Sequence, residues 1–332
     1  MQPRITIITP SFNQGNYIEQ TINSVLSQGY TNLEYIIIDG GSTDQTVEII
    51  KKYQRHLSYW ASEKDKGQGD AINKGLKRAT GELFNWLNSD DYLEPGALYA
   101  IAAAFARQPD KKIMCGYTHC FYDETGKTSH TYRMGMRKTV AATIMNVEMN
   151  QPGSFYSMQA IKDLGLLNPS LQYVFDGELW FKFLCKYGAD AVGFCDELIA
   201  HFRLHQSSKS VGEGFFEFYK EFLNIHLFLA KAAELPQPLI QYLEREQYMN
   251  QYQSGPWELV YLEKEKLFRI FADKYKFLLY KDKEYGFSRA GLKHSIAHRN
   301  MEQFRSQFFL ALKLAIPDLL IDKMRNQKNR KG

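Results

Sequence analysis

The run Tyr35-Ile36-Ile37-Ile38 is uninterrupted by any charged or polar side chain other than a phenol. A strand tolerates such a run when both of its faces are covered. With the β-rich Ile5-Thr6-Ile7-Ile8 and the segment from Glu82 to Leu87, it constrains the fold more than any other feature. Helical spacings lie between these runs. Ile18, Ile22, Val25 and Leu26 mark a helix over Tyr17–Leu26; Asp44–Tyr53 follows with Ser42 or Thr43 as its cap, then Asp70–Ala79. A short strand is expected at Leu57–Ala61. Alternation from Arg4 to about Phe105 predicts an α/β fold, a Rossmann-like open sheet flanked by helices with right-handed crossovers. Ligands bind such sheets beyond the carboxyl ends of the strands. Thr9-Pro10-Ser11, Asp39-Gly40-Gly41 and Ser89-Asp90-Asp91 each follow a strand, so all three are expected on one rim.

Beyond this region the pattern is mixed. Strands are expected at Lys112–Cys115, Thr118–Tyr122, Ala191–Phe194 and Ile199–Arg203, with a helix from Asp176 to Tyr187. Much of the aromatic content, 21 Tyr and 22 Phe, lies past residue 200. There Phe215–Ala233, Pro238–Gln253 and Trp257–Tyr280 read as long helices, with more at Arg289–His298 and Met301–Met324. The domain boundary is placed near residue 212, dividing 1–211 from a helical 212–332. A net charge of +4 is too small to argue for nucleic acid, and none is expected as a partner. The four cysteines lack a CxxC spacing, so neither a zinc site nor a disulfide framework is indicated, which suits a reducing cytoplasm. The N-terminus enters a strand directly, so no signal peptide is expected, and no apolar run reaches the roughly 18 residues of a spanning helix.

Four constellations carry chemistry. Asp90 and Asp91 bring two carboxylates together past a buried strand; each raises the other's pKa, and a divalent cation relieves the conflict. The same pair also reads as a turn or a helix N-terminus. In Pro10-Ser11-Phe12-Asn13, Phe12 suits an aromatic base and the loop's backbone its edge, although a plain β-to-α turn has the same sequence. Asp39-Gly40-Gly41-Ser42-Thr43-Asp44 joins a carboxylate that can accept a ring N–H to glycines that permit close backbone approach, or is a turn with a helix cap. At Asp65-Lys66-Gly67-Gln68-Gly69-Asp70-Ala71-Ile72-Asn73-Lys74-Gly75, Asp70 is a donor contact or an N-cap, and Asn73 a contact or an exposed residue. No phosphate-loop or dinucleotide fingerprint is present.

In this order, with Ala79-Thr80-Gly81-Glu82 and Asn88-Ser89-Asp90-Asp91, the motifs resemble those of the family 2 glycosyltransferases. The resemblance is dense over residues 4–105 and thinner to about 210. It implies a GT-A fold with a C-terminal helical extension, and an inverting transfer from a nucleotide-diphosphate sugar, a UDP-sugar foremost, assisted by Mg²⁺ or Mn²⁺. It assigns Asp39 to the base, Asp90 to the ribose and Asp91 to the metal. The wider donor set is Pro10, Ser11, Phe12, Asn13, Ser42, Asp70, Asn73 and Arg203. His205, in Arg203-Leu204-His205, is placed near the metal, with His201 as its rival. The general base falls on Asp176 in Tyr173-Val174-Phe175-Asp176-Gly177-Glu178. Phe175 replaces the family's usual Glu, and Glu178 is the competing base.

The acceptor so implied is a glycan or lipid-linked glycan, extended into a cell-surface polymer from the cytoplasmic side. The tail from Lys323 to Lys331 carries five positive charges and no negative ones, which suits peripheral contact with the inner face of an anionic membrane. A packed helical subdomain with a solvated tail fits as well, as does a homo-oligomer built through the aromatic helices. Two readings compete with catalysis of this kind: an inactive sugar-nucleotide-binding protein, and a nucleotidyltransferase. The second calls for a Gly-rich basic loop that Pro10–Asn13 is not.

Overall fold

In the computed structural model the first half runs β1 (Ile5–Ser11), α1 (Ile18–Leu26), β2 (Leu33–Asp39), α2 (Thr46–Tyr53), β3 (Tyr59–Ser62), α3 (Gln68–Leu76) and β4 (Leu83–Trp86). The second half adds β5 (Tyr92–Leu93), α4 (Ala97–Arg107), β6 (Ile113–Tyr122), β7 (Thr128–Tyr132), α5 (Val140–Met145), β8 (Ser154–Ser157), α6 (Met158–Leu164), α7 (Phe175–Tyr187) and β9 (Val192–Leu204). Helices α8 (Gly214–Ala232), α9 (Gln237–Arg245) and α10 (Lys264–Lys281) follow. The structure describes residues 2–146, 148–206, 208–209, 214–245, 252, 254–255 and 257–281. The helices expected at Arg289–His298 and Met301–Met324, and the basic tail, lie outside the described residues.

The sheet order is β3-β2-β1-β4-β8-β6-β9-β5, with β7 paired to β6. β1, β2, β3 and β4 are parallel, as the buried apolar runs require. β8 enters antiparallel to both β4 and β6, making the sheet mixed. Ile5, Ile7 and Ile37 join Ile18, Ile22 and Val25 of α1 in one core with Leu98 and Ile101 of α4.

Several boundaries differ from expectation for identifiable reasons. The two strands expected around Cys115 and Thr118 are one, β6, whose register shifts around Gly116 and Tyr117. A Cβ at Gly116 would lie 2.2 Å from Ile199 Cγ1, so this bulge needs a glycine. β9 likewise runs unbroken through the polar Asp196-Glu197. Neither Ser42 nor Thr43 caps α2. Asp44 does the comparable work, with Oδ1 accepting from Thr46 N (3.0 Å) and Oδ2 from Gly15 N (2.9 Å). α3 starts at Gln68, after Gly67 at φ +110°, so Asp70 sits inside its first turn. The helix expected at Trp257 begins only at Lys264; of the helix expected over Pro238–Gln253 the structure describes Gln237–Arg245, and residues 246–251 and 253 lie outside the described residues.

The chain divides into two compact units. One comprises 1–137, 147–222 and 249–261; the other 138–146, 223–248 and 262–332. The division therefore falls within α8, past residue 212. In the second unit Ala141 N donates to Glu263 Oε2 (3.1 Å), and His226 Nδ1 lies 3.1 Å from the Tyr275 hydroxyl. Among the described residues no helix is long and apolar enough to cross a membrane.

Candidate active site

The three strand ends meet as the sequence implies. Ser11 is in register with Asp39, and Gly40 N donates to Ser11 O (2.8 Å). Pro10, Ser11, Phe12, Gly40, Ser89 and Asp90 all line one cavity of about 890 Å³ in the first unit. Phe12 is 59% exposed there, a flat apolar surface held out from the rim. Ser11 Oγ and Gln14 Oε1 are buried without a hydrogen-bond partner, and both residues line the cavity. Orphaned polar atoms on a cavity wall are what a polar ligand or ordered water satisfies.

Other residues of the expected donor set brace the loops. Asp39 is fully buried, and its Oδ2 accepts from Gly41 N (3.1 Å), Ser42 N (2.9 Å) and Ser62 Oγ (2.6 Å). Ser42 Oγ donates to Asp39 Oδ1 (2.5 Å) and lies 2.7 Å from Asn13 N, while Thr43 N donates to Asn13 Oδ1 (2.9 Å). Asn13 adopts φ +52°, a conformation Asn enters more readily than most residues. Asp39, Ser42 and Asn13 thus tie the first two loops together, and the carboxylate expected to meet a base is already saturated. Asn73 is buried with its amide paired to both backbone groups of Leu167 (2.8 and 2.9 Å). Asp70 accepts from Lys66 N (3.2 Å) and pairs with Lys74 (3.8 Å). Neither Asn73 nor Asp70 lines the cavity.

The carboxylate pair divides unequally. Asp91 is 1% exposed; Oδ1 accepts from Arg203 N (3.0 Å) and Oδ2 from Asn88 Nδ2 (3.2 Å). Burial, then the neighbouring Asp90 charge, pushes its carboxyl well above the ordinary range. Asp90 instead lines the cavity, with Oδ2 3.0 Å from His205 Nε2. The His205 ring lies 4.8 Å from that of Tyr17, which helps to orient it. His201, the rival histidine, contacts Glu94 Oε2 (2.5 Å) and His119 Nδ1 (3.2 Å) instead. Arg203 is a brace beneath the pair. Its Nε donates to Asp90 O (2.8 Å), a terminal nitrogen reaches Gln20 (2.5 Å), and another pairs with Asp123.

Among the described residues no three His, Cys, Asp or Glu side chains converge on a metal position. Asp90 and His205 nevertheless fit a divalent cation whose other positions a diphosphate and water would fill. Mg²⁺ is commonly held by one or two carboxylates with substrate phosphates, and Mn²⁺ accepts both carboxylate and imidazole.

Asp176 opens α7 from across the cavity. Its Oδ1 accepts from Gly177 N (2.8 Å), and burial pushes its carboxyl up to about 6, with Lys209 opposing and Glu221 reinforcing the rise. Phe175 is buried at a ring distance of 6.3 Å from Trp86, so the residue before Asp176 is apolar. Glu178 is excluded from the cavity. It is 1% exposed and bonded to Asn168 (3.2 Å), Lys182 (3.1 Å), Tyr252 (2.7 Å) and Ser254 (2.9 Å).

Two residues of the site escaped sequence reasoning. Glu221 of α8 accepts from three consecutive backbone N–H groups, Gln172 (2.7 Å), Tyr173 (2.8 Å) and Val174 (2.9 Å), and so fixes the turn that presents Asp176. Lys209 donates to Gln172 O (2.9 Å) and Gln68 Oε1 (3.2 Å). Desolvation lowers its ammonium, while Glu221, Asp176, Asp90 and Asp65 pull the other way. Lys209 left one signal in the sequence, its position four residues after His205.

The model of the glycosyl transferase family 2 matches residues 6–164. A putative teichuronic acid biosynthesis glycosyltransferase, TuaG of Bacillus subtilis, is 30% identical over 223 residues, covering 63% of this chain and 82% of that protein. An uncharacterized glycosyltransferase of Rickettsia typhi is 30% identical over 214 residues, 62% of this chain. The chain spans 65% of that relative's length and 64% of one from Rickettsia prowazekii. Among solved structures, S. aureus TarS 1-349 in complex with UDP superposes with a TM-score of 0.54 at 20% identity, covering 94% of this chain and 79% of that one. That likeness shows a shared fold.

Proposed function

Since the chain belongs to the family 2 glycosyltransferases, we propose that it moves a sugar from a nucleotide-diphosphate sugar, a UDP-sugar foremost, to a hydroxyl of a glycan or lipid-linked glycan. Transfer proceeds with inversion in a single displacement. One observation carries the reading: Asp176, with its carboxyl raised to about 6, lines the same cavity as Asp90 and the unpartnered Ser11 and Gln14. Near neutrality Asp176 is mostly ionised yet retains enough basicity to accept a hydroxyl proton. The TarS complex with UDP, and the mannosyltransferase from Pyrobaculum calidifontis in complex with GDP-Man and Mn²⁺ (TM-score 0.50, 14% identity), lend support through fold alone.

In this reading Phe12 supports the base, and Ser11 and Gln14 supply polar contacts. Asp90 and His205 hold Mg²⁺ or Mn²⁺, in place of the Asp91 that its motif position suggested. When bound, the cation supplies positive charge to the departing diphosphate. Asp91 and Arg203 keep Asp90 oriented, and Lys209 adds a second cation to the cavity. Asp176 takes the acceptor proton as the oxygen attacks. The C-terminal region contributes acceptor, membrane-surface or subunit contacts at the cytoplasmic face. Asp176→Asn tests the assignment: transfer should fall by ~10²–10⁴-fold while UDP affinity in Mn²⁺ stays within error. Transfer at the parental rate would remove Asp176 from the mechanism.

A further inference from the structure

The cavity wall is chemically mixed: Ser11, Asp65, Asp90 and Lys209 contribute polar groups, and Met149, Phe202, Phe218 and Phe222 contribute an apolar part. These four apolar side chains are only half-buried although they are large and line this cavity. Apolar surface left open in a cavity beside convergent polar groups is the usual composition of a ligand subsite.

Two contacts set this apolar part against the base. A Cβ added at Gly177 would lie 3.3 Å from both Met149 Cε and Phe222 Cε1, so these side chains pack on the residue next to Asp176. Phe218 and Phe222 stand four residues apart on α8, hence on one helix face. The same helix carries Glu221, whose carboxylate holds the turn before Asp176. The Phe218 ring meets that turn at Tyr173, with centroids 5.3 Å apart.

Resting on the glycosyltransferase reading above, we propose that this apolar part is the acceptor subsite and that it takes a neutral pyranoside, stacked through its ring C–H face on Phe218 and Phe222. A pyranose combines an apolar face with hydroxyls at its rim, so it covers the apolar part while directing an O–H to Asp176. A compact phosphorylated acid would leave the aromatic rings uncovered and would meet the Asp176 carboxylate. A purely hydrocarbon occupant would bring no hydroxyl. In the step that follows, the acceptor O–H bond breaks and its proton passes to Asp176. The acceptor oxygen bonds C1 of the donor sugar, and the C1–O bond to the diphosphate breaks with its electron pair leaving on the nucleotide.

Saturation-transfer NMR on the full chain with UDP and Mn²⁺ tests this, using methyl β-D-glucopyranoside, methyl N-acetyl-β-D-glucosaminide, hexyl β-D-glucopyranoside and 3-phosphoglycerate as probes. The expected result is transfer to the ring protons of at least one glycoside. Its affinity should be about tenfold weaker in Phe218→Ala and in Phe222→Leu, with UDP affinity unchanged. Two variants are used because Phe222 also packs near Phe181 (6.0 Å between centroids). The proposal is overturned if UDP binds but no glycoside receives transfer, or if both variants bind the glycoside as the parent does. Transfer confined to the hexyl chain, or preferential binding of 3-phosphoglycerate, also overturns it. Absence of UDP binding to the parent protein overturns the underlying glycosyltransferase reading instead.

Discussion

Replacing Asp176 by Asn should stabilise the protein while silencing it, and the gain should depend on pH in a defined way. The Asp176 carboxyl is raised to about 6 in the folded protein by burial, against about 3.9 in an unfolded chain. Below pH ~4 both states hold the proton, and the residue has little effect on stability. Between about 4 and 6 the unfolded chain releases its proton while the folded protein keeps it, so stability falls as pH rises. Above about 6 the cost is complete. Two pH units correspond to roughly 3 kcal/mol. Asn has nearly the same shape, carries no charge and retains the oxygen that accepts from Gly177 N. The Asn variant should therefore exceed the parent in stability by about 0.5 kcal/mol at pH 4 and by about 3 kcal/mol at pH 7.5. Urea unfolding of both proteins across this range, without nucleotide or metal, measures the difference directly. A difference that does not change with pH, or an Asn variant less stable than the parent at pH 7.5, would refute the reasoning.

Other expectations follow from the same geometry. The transfer rate should fall about tenfold per pH unit below about 6, as Asp176 takes up its proton; a flat profile from pH 5 to 7 would count against Asp176 as base. Asp90→Asn should abolish the Mn²⁺-dependent part of UDP binding in calorimetry, and His205→Ala should weaken it. Asp91→Asn, at a site with little access to the cavity, should retain more of it than Asp90→Asn. Glu221→Ala leaves three backbone N–H groups without their acceptor, at a cost of about 2–4 kcal/mol. It should lower both the melting temperature and kcat. Glu178→Ala strands the Lys182 ammonium beside α7, costing about 3–5 kcal/mol. Its transfer rate per folded molecule should change far less than that of Asp176→Asn.

The parallel half of the sheet was legible because buried parallel strands leave continuous apolar runs, and Tyr35–Ile38 can hardly be anything else. The breaks imagined at Gly116 and at Asp196-Glu197 were not, because a bulge and an exposed polar stretch interrupt a hydrophobic pattern without interrupting a strand. Within the site, residue type and order marked the loops but not the direction of each side chain. Asp90 and Asp91 are adjacent, yet one faces the cavity and the other the protein, a distinction made by Asn88 and the backbone of Arg203. Asn73 looked available because its partner Leu167 lies far along the chain, whereas Asp39 is held by Gly41 and Ser42 beside it as well as by the distant Ser62. Glu221 left no local signal at all; its three partners precede it by almost fifty residues.

The placement of β9 has a consequence for synthesis on the ribosome. Arg203 and His205 lie more than a hundred residues beyond the aspartates they hold. A nascent chain that has emerged only through β5 already contains both carboxylates but has neither of these partners. The loops that follow β1 and β2 can form early from neighbouring βαβ units, whereas the Asp90–His205 pair must await β9. Long-range closure of this kind is slow compared with local pairing. Competence for donor capture is therefore expected to come late, after the polypeptide carrying the base on α7 has also been made.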